Sequence, residues 1–108
     1  MTTFDDREKA FEDKFAHDAQ LAFKANARRD KKLGQWAAVK LGLTGAEASD
    51  YVKTVLEADI SKNGDEAVFG KIAADFKARA VDAGVLEIRS AMTRYLVEAV
   101  AEIERGLD

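Results

Sequence analysis

Few side chains in this 108-residue chain could do chemistry, and their spacing does not assemble a catalytic centre. The chain has one histidine, His17, and no cysteine, so a histidine-based metal site, a thiolate nucleophile and a disulfide framework all lack their parts. No serine nucleophile motif accompanies His17, and its place one turn after Asp13 gives at most a surface pH response. The adjacent carboxylates Asp5/Asp6 and Glu12/Asp13 read as solvated pairs rather than an acid–base dyad, and no glycine-rich phosphate loop is present. The stretch Asp59-x-Ser61-x-Asn63-Gly64-Asp65 has the front of a calcium-binding loop, but such a loop needs an apolar eighth residue and a bidentate glutamate at position twelve. Those places hold Glu66 and Gly70, so the better reading is a turn between helices with an aspartate cap. We therefore expect no enzyme activity and no metal.

Two other groups of residues point to binding. Phe4, Phe11 and Phe15 stand in a stretch otherwise filled by Asp5, Asp6, Arg7, Glu8, Lys9, Glu12, Asp13 and Lys14. On a helix the three rings fall within about 40° of one another, a stripe too narrow for the wall of a core and suited to another protein's groove. The second group is the basic cluster Lys24, Arg28, Arg29, Lys31 and Lys32, interrupted only by Asp30. Charge is blocked along the chain: residues 1–18 carry three basic and six acidic side chains, residues 19–42 six and one, and residues 43–108 eight and thirteen, with a net charge of −3. A nucleic-acid surface would want net positive charge with interleaved aromatics, which this chain lacks. The cluster reads instead as a solvated face, or as a seat for an acidic protein surface or a nucleotide phosphate.

The elements that carry these groups are helices. The chain has no proline, is rich in alanine, and shows no alternating β-branched run. Thr3 can cap a first helix, with Asp5 and Asp6 at the positive end of its dipole. Continuous from Asp5 to Leu41 it would be roughly 55 Å long, too long for a bundle of this size. We therefore divide the chain into residues 1–18, a mobile segment with too little to bury to stay helical alone, and residues 19–108, a small four-helix bundle in an all-α fold. In the first bundle helix Leu33, Trp36, Ala37 and Leu41 face inward, and Gly42 ends it. Thr44 and Glu47 form a capping box for the second, whose inner residues are Ala48, Tyr51, Val52, Val55, Leu56 and Ile60. After the turn at Asn63-Gly64, Asp65 caps the third, with Val68, Phe69, Ile72, Ala73, Phe76 and Ala80 inward and Gly84 closing it. The fourth runs from about Leu86 to Arg105, with Ile88, Met92, Tyr95, Leu96, Ala99 and Ile103 inward. No run is long and apolar enough for a membrane span or signal peptide.

The runs T-F-D-D-R-E-K-A-F-E-D-K-F-A-H-D and F-K-A-N-A-R-R-D-K-K-L-G-Q-W-A-A, followed by L-G-L-T-G-A-E-A-S-D-Y, G-D-E-A-V-F-G-K-I-A-A-D-F and I-R-S-A-M, resemble the inhibitory ζ subunit of alphaproteobacterial F-type ATP synthases. The resemblance covers the whole chain. It implies a non-catalytic inhibitor of ATP hydrolysis whose N-terminal segment becomes helical as it wedges between an α and a β subunit beside the rotating γ subunit. The matching partner-binding positions are Phe4, Asp5, Arg7, Glu8, Lys9, Phe11, Glu12, Lys14 and Phe15. It further implies a monomer when free, a cytoplasmic place at the inner membrane through the synthase, no direct membrane insertion and no required cofactor. ATP or ADP on the bundle, held by Lys24, Arg28, Arg29, Lys31 or Lys32, is the alternative reading, that of a helical nucleotide-binding regulator.

Energetics bound the wedge. Three phenylalanines buried in a groove contribute about 6–9 kcal/mol gross, and ordering each of some fifteen residues costs about 1 kcal/mol or more. The aromatic stripe therefore needs either charge partners on the enzyme or a second docking site on the bundle, which would raise its effective concentration.

Overall fold

The computed structural model describes residues 19–61 and 63–107. They form four helices: α1 (Ala19–Lys40), α2 (Gly45–Asp59), α3 (Gly64–Ala78) and α4 (Val85–Glu104), with no strand among the described residues. The all-α expectation and the four helices stand; the readings made for residues 1–18 lie outside the described residues.

The core is built on α1, which packs most extensively against α2 and α4. Leu33, Ala37, Ala38 and Leu41 of α1 meet Tyr51 and Val55 of α2, Val68, Ile72 and Phe76 of α3, and Ile88, Ala91 and Met92 of α4. A smaller cluster joins the start of α1 to the end of α4 through Ala25 and Val100, with Leu21, Ala22, Leu96 and Ile103 packed around them. α1 runs antiparallel to α4: Arg28 near the start of α1 pairs with Glu102, and Lys40 at its end pairs with Glu87. The contact between α3 and α4 is slighter and lies near the first turns of α3, where Glu66 and the Phe69 ring both meet Arg89.

Small residues set the spacing between helices. A Cβ placed on Gly34 would lie 3.1 Å from the Val52 Cα and 3.2 Å from its Cγ2. Only a residue without a side chain lets α1 and α2 approach so closely. The C-terminal ends of α1, α3 and α4 follow one pattern. At the end of α1, Leu43 N–H donates to the Ala38 carbonyl with Gly42 left-handed; at the end of α4, Leu107 N–H donates to Glu102 with Gly106 left-handed. Both are Schellman closures.

Several boundary expectations change. α3 closes by the same motif at Ala80, at φ 56°, with Val81 N–H donating to the Phe76 carbonyl. Gly84 is therefore not its terminator; it is the N-cap of α4. Val81, not Ala80, turns toward the core, because a left-handed residue at the helix end brings the next side chain back over the preceding turn. Ile60 was expected inward but is exposed, since α2 ends at Asp59 and Ile60 is its cap residue. Thr44 stands at the N-cap of α2, but its hydroxyl makes no capping hydrogen bond; the chain enters the helix through left-handed Gly45 instead. Asn63, not Asp65, holds the N-cap position of α3. Trp36 is half-buried at the core edge, its ring 5.7 Å from that of Phe76 and its face toward Lys40.

Two substitutions test this account by urea unfolding. Gly34→Leu should destabilise by about 1–3 kcal/mol or more, because the collision is with the backbone of α2. Ala80→Gly should stabilise by about 0.5–1 kcal/mol, because it relieves a left-handed alanine.

Candidate docking face and the ion-pair seam

Three of the five clustered cations, Arg28, Arg29 and Lys32, depart from a uniform solvated face. Lys24 and Lys31 are exposed, as that reading requires. Arg28 and Lys32 face α4: the Arg28 Nη1 donates to Glu102 Oε1 at 2.8 Å, and the Lys32 ammonium donates to Glu102 Oε2 at 2.8 Å and to Glu98 at 3.4 Å. The bonds from Lys32 and Arg28 hold the Glu102 carboxyl below its ordinary range, and the bond to Glu102 pushes the Lys32 ammonium up. This seam stitches α1 to α4 along their solvent edge.

Arg29 is not on a surface at all. Its side chain is 2 % exposed, and that of Asp30 is 1 % exposed. The Nε of Arg29 donates to Asp30 Oδ1 at 3.0 Å, and its Nη1 donates to Asp65 Oδ1 at 2.8 Å. Asp59 lies 3.5 Å from Nη2. One guanidinium thus fastens α1 to both ends of the turn between α2 and α3. Burial works against the Arg29 charge, but the attraction of Asp30 and Asp65 outweighs it and holds the guanidinium above its ordinary value. The aspartates that look like the front of a calcium loop already have a cation, and it is Arg29. Among the described residues no group of acidic, histidine or cysteine side chains could hold a metal ion.

This cluster is what sequence reasoning missed. A signal was present: the inward stripe through Leu41, Ala37 and Leu33, extended one turn toward the N-terminus, passes through Arg29 and Asp30. Charge at those positions suggested solvent, yet the helical register was the better guide.

A second polar group ties α2 to α3. The Tyr51 hydroxyl donates to Asp75 Oδ2 at 2.8 Å, Lys71 donates to the same oxygen at 2.9 Å, and the Lys71 ammonium lies over the Tyr51 ring. Burial, then the bond to Asp75, push the Tyr51 phenol well up, so it stays a donor. Arg94 in turn lies over the Tyr95 ring. These groups fix helices; none is arranged as nucleophile and base.

The decisive comparison is with protein families. The family model for ATPase inhibitor subunit zeta matches residues 1–102. The chain belongs to that family. No curated protein matches it. Membership identifies this zeta-family chain as an ATP synthase inhibitor, a regulatory role, and the match includes residues 1–18, where Phe4, Phe11 and Phe15 lie. No helix among the described residues is long and apolar enough to cross a membrane. For the zeta-family bundle, the pairings above mean that Arg28, Arg29 and Lys32 serve its own helices, while Lys24 and Lys31 face outward.

Unequal burial predicts unequal costs. Arg29→Ala should destabilise by about 3–5 kcal/mol in urea unfolding, because it removes the buried cation that joins Asp30, Asp59 and Asp65 and leaves their inner oxygens without a donor. Arg28→Ala should cost under about 1 kcal/mol, as expected for a solvent-edge pair. Because the folded state depresses the Glu102 carboxyl, its contribution is present above its ordinary value near 4.5 and is lost as pH falls below it. Glu102→Gln should flatten that acid limb of the unfolding midpoint against pH.

Proposed function

We propose that this chain inhibits ATP hydrolysis by inserting residues 1–18 as a helix between an α and a β subunit of the synthase head, beside γ, and so blocking rotation. The observation that carries the reading is the family match beginning at residue 1, over a segment whose Phe4, Phe11 and Phe15 have the spacing that would share one face of a helix. The charged neighbours Asp5, Arg7, Glu8, Lys9, Glu12 and Lys14 would pair with the groove walls, supplying what the rings alone do not. The bundle would stay outside as a second contact and raise the local concentration of the segment. Exposed Lys24 and Lys31 of α1 support such a contact with an acidic rim at the groove mouth. The chain would then sit on the cytoplasmic side, at the membrane only through the enzyme.

An ATP hydrolysis assay on the isolated synthase head tests this. Full-length protein should inhibit, the paired substitution Phe11→Ala and Phe15→Ala should abolish inhibition, and a peptide of residues 1–18 should inhibit only weakly. Full inhibition by protein that starts at Ala19, with helix content checked by circular dichroism, would refute it.

A further inference from the structure

The Arg29 cluster holds more acid than base. Facing Asp30 are Arg29 from its own helix and Asp59 from the end of α2, while Asp65 from the start of α3 bonds the same guanidinium through Nη1. From α4, Arg89 borders the same depression as Arg29 and Asp65, but its guanidinium is bonded to Glu66 and laid on the Phe69 ring. One buried guanidinium therefore meets three carboxyls. Asp30 Oδ1 takes the bond from Arg29 Nε, while its buried Oδ2 has no hydrogen-bond partner; Arg29 Nη2, 2.8 Å from Asp30 and 3.5 Å from Asp59, brings the two carboxyls together. A buried carboxyl oxygen beside another carboxyl can bond to it when it carries a proton and donates it.

We propose that Asp30 keeps a proton at neutral pH and donates it to the Asp59 carboxyl, and that this bond latches the turn between α2 and α3 onto α1, so that the latch loosens as pH rises. Burial first, and then the bond to Asp59, push the Asp30 carboxyl up to about 8, consistent with a proton kept there at pH 7. The sign follows from linkage. A carboxyl raised in the folded state contributes its full stabilisation below its ordinary value near 3.8 and loses it as pH climbs toward 8. This opposes the Glu102 seam, which strengthens over the acid range. The bundle then has two proton-sensitive fastenings of opposite sign, one on each side of α1.

Carbon-detected NMR titration of the side-chain carboxyls in the full-length protein tests the latch directly. The Asp30 carboxyl should titrate near pH 8, and in Asp59→Asn, whose amide would donate to a charged Asp30, the midpoint should fall. Amide hydrogen exchange, corrected for its intrinsic pH dependence, should show protection at Ser61, Gly64, Asp65 and Glu66 falling by up to about tenfold per pH unit between pH 5 and 7 and levelling above 8. In Asp30→Asn, whose amide replaces the donated proton, that protection should be independent of pH. An Asp30 midpoint below 5, an unchanged midpoint in Asp59→Asn, or a pH-dependent turn in folded Asp30→Asn would overturn the proposal. Should Asp30→Asn not fold, the wild-type titration still decides it.

Discussion

A guanidinium buried between helices must be neutralised where it lies, and that requirement at Arg29 organises the fold around it. Removing such a charge from water costs several kcal/mol unless partners with good geometry surround it. Here they come from three elements: Asp30 from α1 itself, Asp59 from the end of α2 and Asp65 from the start of α3. The turn between α2 and α3 is consequently held to α1 by charge as well as by packing. Arg29 does for its aspartates what a bound ion does in a calcium loop, a cation supplied in cis.

That arrangement depends on how close the helices lie. Ala25, Ala37, Ala38, Ala91 and Ala99 are buried, and Gly34 lets α2 sit almost on the backbone of α1. Alanine contributes little apolar area per residue, so the core relies on a few larger side chains, Leu33, Ile72, Phe76 and Ile88, and on close packing. Polar fastenings then do a larger share of the orienting: Arg28 and Lys32 to Glu102 along one edge, and Tyr51 and Lys71 to Asp75 along another. Solvent-edge ion pairs such as Arg28–Glu102 contribute little stability each, but they fix which helix faces which.

For an inhibitor of this family, the arrangement separates two tasks. Most of the basic cluster that looked free to meet a partner is engaged within the bundle, and Lys24 and Lys31 are left on its surface. The proposed grip on the enzyme would then fall mainly to residues 1–18, with the bundle carrying them. A nucleotide phosphate on Arg28, Arg29 or Lys32 would have to displace carboxylates that already hold them.

Local chemistry along the chain determined the helices and most of their ends. Alanine content and the absence of proline make helix the cheapest backbone state, and Gly42 and Gly106 supply the left-handed residue that a Schellman closure needs. Periodicity alone placed Leu33, Val55, Ile72, Phe76 and Ile88 inside. The long quoted runs carried the family, because identity over many positions needs no geometry. Tertiary structure decided what depends on partners distant in sequence. It buried Arg29, because neutralisation required carboxylates some thirty residues away that no local rule connects to it. It made Asp65 an ion-pair partner instead of a cap, and let Ala80 take a strained conformation because Val81 gains a place against the core. Propensity and period are properties of neighbours along the chain; the free energy of a buried charge is a property of neighbours in space.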